Sequence, residues 1–290
     1  MTVRFLVNPA AGRGTGKASL DRIRVLASKL GAGLCVSRKV SDLAEQARRA
    51  AADGVERLLV AGGDGTMHHA IQGLAGTSCA LGVIPLGSGN DLAGTLGAPP
   101  DLDAAVERAV SGEIRRIDLI RVGETISVSY AGVGFDSEVT RYANETKVLR
   151  GPLIYFYAVL HTLITFVPPR MRVVHDEGEF EGKVMFAVVN NLPRFGGGMR
   201  IAPEARIDDG LLDLVIVKEV PKAVLLSIFP KVYGGKHVGH PAVTMIRTRR
   251  AEITIDRAMT MYGGGEPLRP MAAGEPVLVE VVPGGLGIVG

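Results

Sequence analysis

The hydrophobic pattern changes character part-way along the chain. Up to about residue 120, short apolar runs alternate with segments that repeat every three to four positions. The runs 3–7, 33–37, 57–61 and 80–84 read as strands, apolar on consecutive positions as strands covered on both faces are. Helices are expected over 17–30, 42–52, 66–75 and 102–110; the first carries Leu20, Ile23, Leu26 and Leu30 on one face. Strand and helix in alternation predict a parallel sheet with crossover helices. Beyond Arg116 the pattern becomes that of short strands. Residues 117–122 and 125–130, joined at Gly123-Glu124, read as a hairpin. Further strands are expected at 171–174, 184–190, 212–217, 244–248, 252–255 and 277–282. One helix is expected at 221–232, with Pro221 at its first position. The fold class is therefore α/β plus all-β, a parallel-sheet domain over 1–120 followed by a β-sandwich over 121–276.

One apolar stretch stands apart. Residues 153–167 read Leu-Ile-Tyr-Phe-Tyr-Ala-Val-Leu-His-Thr-Leu-Ile-Thr-Phe-Val, between Pro152 and Pro168-Pro169. A spanning helix needs roughly 20 apolar residues, and His161 and two threonines interrupt this run. It reads as a helix with one face packed on the second domain; the opposite face suits an apolar cleft wall or a bilayer surface.

Three strand ends run into small, polar loops. The first is Asn8-Pro9-Ala10-Ala11-Gly12, leading to Gly14, Gly16 and Lys17. The second is Gly62-Gly63-Asp64-Gly65-Thr66, and the third is Leu86-Gly87-Ser88-Gly89-Asn90-Asp91. Glycine lets backbone approach an anion, and amides opening a helix face it. Loops gathered at one edge of a parallel sheet are where such folds bind nucleotides. Asp64 among phosphate-suited glycines points to a bridging Mg²⁺ or to a role in holding the loop. The first loop is not a P-loop: Ala11 stands at the first glycine, and Ala18 follows Lys17 where a hydroxyl is required.

Composition narrows the classes. Of 290 residues, 47% are hydrophobic, enough for two cores. Aromatics make up 5% and there is no Trp, so nucleic acid read by base stacking is not expected. The net charge of +3 is mild. Basic clusters at Arg48-Arg49, Arg115-Arg116 and Arg247, Arg249, Arg250 read as solvated surface with weak attraction to anionic membranes. Cys35 and Cys79 read as buried thiols of a reducing compartment. The first residues enter a strand without a signal-peptide pattern.

Taken in order, these motifs resemble the lipid kinases of the diacylglycerol kinase catalytic superfamily, which includes the sphingosine kinases. Besides the three loops, the resemblance rests on Gly134-Phe135-Asp136, Gly196-Gly197-Gly198, Asp209-Gly210-Leu211-Leu212-Asp213 and Gly235-Lys236-His237. It spans nearly the whole chain. It implies a Rossmann-like nucleotide domain and a lipid-substrate sandwich, with strands near 277–290 returning to the first domain. It implies ATP along Asn8, Pro9, Ala10, Ala11 and Gly12. It implies phosphates and Mg²⁺ at Gly62, Gly63, Asp64, Gly65, Thr66, Met67, His68 and His69, with hydroxyls of Ser37 and Ser88 as further nucleotide contacts. The family's Asp-Gly-Glu tripeptide falls on Gly264-Gly265-Glu266, so Glu266 matches the Glu and Gly264 replaces the Asp. Glu266, or Asp64 in its stead, is the implied proton acceptor. A structural Mg²⁺ would take Asp209 and the carbonyls of Arg206 and Leu211.

The implied activity is phosphoryl transfer from ATP to a lipid hydroxyl by a cytoplasmic protein, peripheral at the inner face of the membrane. A homodimer through an exposed sheet edge is the oligomer to test. NAD kinase is the second enzymatic reading, since it shares the Gly-Gly-Asp-Gly loop. A nucleotide- or lipid-binding regulator is the non-enzymatic one, motivated by Gly264.

Overall fold

A computed structural model of the chain describes residues 1–145 and 152–290. The first lobe runs β1 (Val3–Val7), α1 (Thr15–Lys29), β2 (Gly33–Val36), α2 (Asp42–Ala52), β3 (Arg57–Gly62), α3 (Asp64–Leu74), β4 (Ala80–Pro85), α4 (Asp91–Leu96) and α5 (Leu102–Ser111). Its strands pair in parallel in the order β2-β1-β3-β4. Period-two alternation explains the layering. Phe5, Val7, Leu59 and Ala61 face α1 and α5 around Ile23, Ala105 and Ala109. Leu6, Leu58 and Val60 face α2 and α3 around Leu43, Ala47, Ile71 and Leu74. Both faces are covered, which is why these strands are apolar apart from Arg4 and Arg57 near their starts.

The second lobe runs β5 (Ile114–Val122), β6 (Thr125–Ser127), β7 (Tyr130–Gly134), α6 (Phe135–Glu145), α7 (Pro152–Thr165), β8 (Arg170–His175), β9 (Gly178–Asn190), β10 (Leu212–Lys218), α8 (Lys222–Tyr233), β11 (Val243–Thr248), β12 (Arg250–Ile255), β13 (Met259–Gly263), β14 (Glu266–Met271) and β15 (Val277–Val289). All pairings among these strands are antiparallel, and their inner faces enclose Val133, Val173, Ala187, Leu214, Ile253 and Val279. Two long strands knit the parts together. β9 pairs β8 with its first half and β7 and β10 with its second. β15 pairs β12 at 277–280 and β5 over its length, and its Ile288 lies parallel to Leu81 of β4. The α/β and sandwich lobes thus share one strand network.

Several expectations differ from what is found: the strands expected at 184–190 and 277–282 run over Gly178–Asn190 and Val277–Val289, and β13 and β14 are not among the expected strands. The second hairpin strand stops at Ser127, because its hydroxyl donates to the Tyr130 carbonyl (2.8 Å) and turns the chain before β7. α3 begins at Asp64, two residues early, with Gly63 in extended geometry as its N-cap. Helix α7 divides as its amphipathic reading requires. Ala158, Thr162 and Leu163 are buried, whereas Tyr157, Leu160 and Ile164 are exposed. The side chains of 152–156 lie outside the described residues. Among the described residues no helix is long and apolar enough to cross a membrane. Cys35 and Cys79 are both free.

Candidate active site

The three strand-end loops pack against one another, and the absence of side chains is what lets them. A Cβ on Gly12 (φ +60°) would fall 1.9 Å from the Leu86 carbonyl oxygen. One on Gly63 would lie 3.0 Å from the Gly87 Cα. Asn8 holds the first two loops: its Nδ2 donates to Thr66 Oγ1 (2.9 Å), and its Oδ1 accepts from the Ala10 amide (3.0 Å). In the third loop, Asn90 adopts φ 53° and exchanges two hydrogen bonds with the Gly87 backbone.

Asp64 stands where these loops meet. Its Oδ2 lies 2.8 Å from where a Cβ on Gly89 would be, and its Oδ1 faces the Leu92 amide at 3.5 Å. Burial raises the Asp64 pKa, and the charge of Asp91 raises it further; the amides of Leu92, Asp91 and Asn90 oppose the rise. Two carboxylates side by side in a half-buried loop, the charge of one raising the other's proton affinity, form a donor set suited to a divalent cation. Asp91 also accepts from the Gly197 amide (3.4 Å), and Arg194 donates to the Gly94 carbonyl (3.2 Å). The glycine triplet 196–198 therefore docks on the start of α4.

Glu266 reaches this junction from the other lobe. It begins β14 after a two-residue turn, Gly264 (φ 62°) and Gly265 (φ 84°). Two consecutive positive φ values define a type I′ hairpin turn, for which Gly, Asn and Asp are the favoured residues. The turn delivers Glu266 Oε1 to 3.2 Å from the position of a Cβ on Gly65, and 3.9 Å from His69 Nε2. Gly65 thereby opens room for the carboxylate one residue from Asp64. Beneath, His68 is buried and its pKa is pulled down to about 4, first by burial and then by His69, so it is neutral. Gln72 of α3 fixes the helix to β6: its Nε2 donates to the Ile126 carbonyl (2.5 Å) and its Oε1 accepts from the Ile126 amide (3.0 Å).

The remaining predicted residues divide. Ser88 and Ala10 are exposed at the loop tips, and Pro9 is half-buried beside them. Ala11 and Met67 turn their side chains into the cores. Gly62 packs on the Thr66 side chain. Ser37 is buried, and its hydroxyl donates to the Val7 carbonyl (3.3 Å). Asp209 takes the Arg247 guanidinium on Oδ2 and the Leu211 amide on Oδ1 (3.1 Å). A Mg²⁺ on this carboxylate would have to displace Arg247, so the donor set does not fit the metal as it stands. A hollow of about 530 Å³ opens here, lined by Arg206, Arg247 and Pro203–Ala205; it belongs to this loop and not to the Asp64–Glu266 junction.

The Gly134-Phe135-Asp136 motif holds a buried carboxyl group. Both carboxyl oxygens of Asp136, at the start of α6, are buried without a hydrogen bond, and Oδ2 lies 2.6 Å from where a Cβ on Gly132 would be. The amides of Asp136 and Ser137 only point toward it. Burial pushes its pKa up to about 7. A carboxyl protonated more readily when folded than when unfolded destabilises the fold as pH rises. The penalty is absent below pH 4, grows between 4 and 7, and is complete above. A rise from 3.8 to about 7 corresponds to roughly 4 kcal/mol at most. Asp136→Asn is therefore expected to raise the melting temperature at pH 8 and leave it nearly unchanged at pH 4. An equal effect at both pH values would show that the carboxyl is not titrating there.

Two lobes of this kind, a parallel nucleotide-type sheet and a β-sandwich meeting at a glycine-rich junction, define the fold shared by NAD kinases and diacylglycerol kinases. Residues 2–122 match the diacylglycerol kinase catalytic domain, and 128–290 match the YegS C-terminal NAD kinase beta sandwich-like domain. This chain belongs to the diacylglycerol kinase family. It is 32% identical to a diacylglycerol kinase of Mycobacterium tuberculosis, over 99% of this chain and 94% of that one. It is 29% identical to one of Bacillus subtilis, over 91% and 89%. A solved diacylglycerol kinase structure from Bacillus anthracis superposes with TM-score 0.78 at 22% identity, over 99% of this chain and 96% of that one. Yeast NADH kinase, solved with NADH, follows at TM-score 0.58 and 11% identity, over 99% and 82%.

Proposed function

We propose that the chain transfers the γ-phosphoryl group of ATP to the free hydroxyl of diacylglycerol or a related lipid at the junction of its lobes. The observation that carries this is the approach of Glu266 to Gly65, beside Asp64. The lipid oxygen attacks the γ-phosphorus, the bond to ADP breaks, and Glu266 takes the hydroxyl proton. The loops from Asn8, Gly63 and Gly87 hold the nucleotide with backbone amides. Asp64 and Asp91 would hold Mg²⁺, which when bound neutralises charge on the transferring group. His69 lies close enough to Glu266 to orient it.

Two readings compete. NAD kinase has the related sandwich in its favour, but the first-lobe match and the similar curated sequences are diacylglycerol kinases. Incubation with γ-labelled ATP, Mg²⁺ and a panel of lipids alongside NAD separates them. Label is expected in a lipid phosphate; label in NADP alone overturns the proposal.

The regulator reading rests on Gly264, and its turn geometry answers it in part. A Cβ at 264 would make ordinary contacts, 3.6 Å from Ser129 Oγ and 3.8 Å from His68 Nδ1. Aspartate is also accepted in this turn type. Gly264→Asp is therefore expected to fold and to change kcat/KM by less than about tenfold, since Glu266 already supplies the proton acceptor. A gain of a hundredfold would show that position 264, not 266, lacks the essential base.

A further inference from the structure

We propose that the exposed faces of α7 and α8 form the surface on which this protein docks to an anionic lipid bilayer. The inference deepens the lipid-kinase reading and rests on it for its purpose, since a site for a membrane lipid must be brought to the membrane. The apolar side is a stripe at helical spacing: Tyr157, Leu160 and Ile164 of α7, continued by Val167. Ile164 is 73% exposed and Val167 61%. Leu226 and Tyr233, also exposed, continue it on α8. The two helices are joined at this surface, because Lys222 Nζ donates to the Ile164 carbonyl (2.5 Å). Arg257 donates to the Val167 carbonyl at 3.4 Å. Cations thus sit at the α7 C-terminus among exposed apolar side chains.

Charge selects the partner. Neither helix contains an Asp or Glu, and α8 carries Lys222 and Lys231. On α6, which packs against α7, Glu138 and Glu145 pair with Arg141; elsewhere Asp256 pairs with Arg257, Glu219 with Lys183 and Glu181 with Arg170. Arg257 is thus neutralised, and Lys222 and Lys231, with no carboxylate partner among the described residues, leave positive charge beside the apolar stripe, the pattern of a helix lying in a bilayer interface. The basic clusters elsewhere do not provide it. Arg48 and Arg49 pair with Glu45, Arg115 with Asp208, Arg247 with Asp209 and Arg250 with Asp176. Orientation agrees, because α7 packs on α6. α6 also packs on β13, the strand that leads through the Gly264-Gly265 turn to Glu266. The docking face and the reacting junction therefore border the same helix.

The test measures binding without ATP, so that it stands or fails apart from phosphoryl transfer. Full-length protein is sedimented with vesicles of phosphatidylcholine containing one-third phosphatidylglycerol, and with pure phosphatidylcholine vesicles. Binding is expected to be about tenfold stronger to the anionic vesicles and to weaken with salt. The double variant Ile164→Glu, Val167→Glu is expected to lose at least about tenfold in vesicle partition. Lys222→Ala is expected to lose several-fold on anionic vesicles only. These side chains are exposed, so the variants are expected to melt as wild type does, and their rate on a dispersed short-chain diacylglycerol is expected to be unchanged. No binding by the wild type, or equal binding by the double variant, overturns the proposal. So does a dimer in solution that the double variant splits, because the face would then belong to a second copy. Vesicle binding by a protein that labels no lipid would leave the docking face standing and remove the kinase reading.

Discussion

Asp64→Asn is expected to lower phosphoryl transfer about 10³-fold while leaving the melting temperature within a few degrees. The substitution keeps shape and removes charge. Asp64 opens α3 next to Gly63 and faces Gly89 and the first amides of α4, so an amide side chain fills the same space. Its charge is not held for stability, since burial and Asp91 both disfavour it. A carboxylate kept at that cost suits the cation role proposed for it. The same cause sets the pH dependence. With its pKa raised, Asp64 loses its charge at a higher pH than an ordinary carboxylate, so activity falls on acidification before a solvated Asp would protonate. Bound Mg²⁺ opposes this, so raising Mg²⁺ is expected to move the acid limb of the pH–rate profile downward. A limb that ignores Mg²⁺, or an Asp64→Asn enzyme with normal activity, would place the cation elsewhere.

Glu266→Gln is the second large effect, a loss of about 10²- to 10⁴-fold in kcat. Its signature differs from that of Asp64. Glutamine retains the packing against Gly65, and nothing in the Asn8, Gly63 and Gly87 loops depends on the carboxylate. ATP affinity is therefore expected to stay within twofold while transfer collapses. A raised KM for ATP with kcat preserved would make Glu266 a nucleotide contact instead. Because β14 pairs with β13 through the Gly264-Gly265 turn, the substitution is not expected to disturb the sandwich.

Much of this was legible because the informative residues act locally. Glycines at 12, 62–65 and 87–89 mark loops whose backbones must come close, and the structure shows each close approach. The strands of the first lobe were readable from Phe5–Val7 and Leu58–Ala61, where both faces are buried. What depended on distant pairing was not readable. Gln72 meets Ile126 across 54 residues, and nothing near either announces the contact. Asp91 was visible in its motif, but its effect on Asp64 arises only when α4 folds back on the second loop. The hairpin β13–β14 was hidden because its glycines read as a motif rather than a turn, although Met259 and Met261 alternate as a strand should. Asp136 looked like any helix-opening aspartate; its burial depends on α6 folding back on β7, where the carboxylate faces Gly132. Arg247 and Asp209 lie 38 residues apart, and their pairing follows from β10 and β11 lying side by side.

Asp64 and Glu266, from separate lobes, are expected to serve one reaction on one lipid hydroxyl. A double-mutant cycle on transfer of label from γ-labelled ATP to diacylglycerol tests it most directly. Groups acting in a single transition state lose little more together than the worse of them loses alone. Asp64→Asn with Glu266→Gln is expected to be no more than about threefold slower than the slower single variant. Losses that multiply in full, or a Glu266→Gln enzyme as fast as wild type, would contradict it.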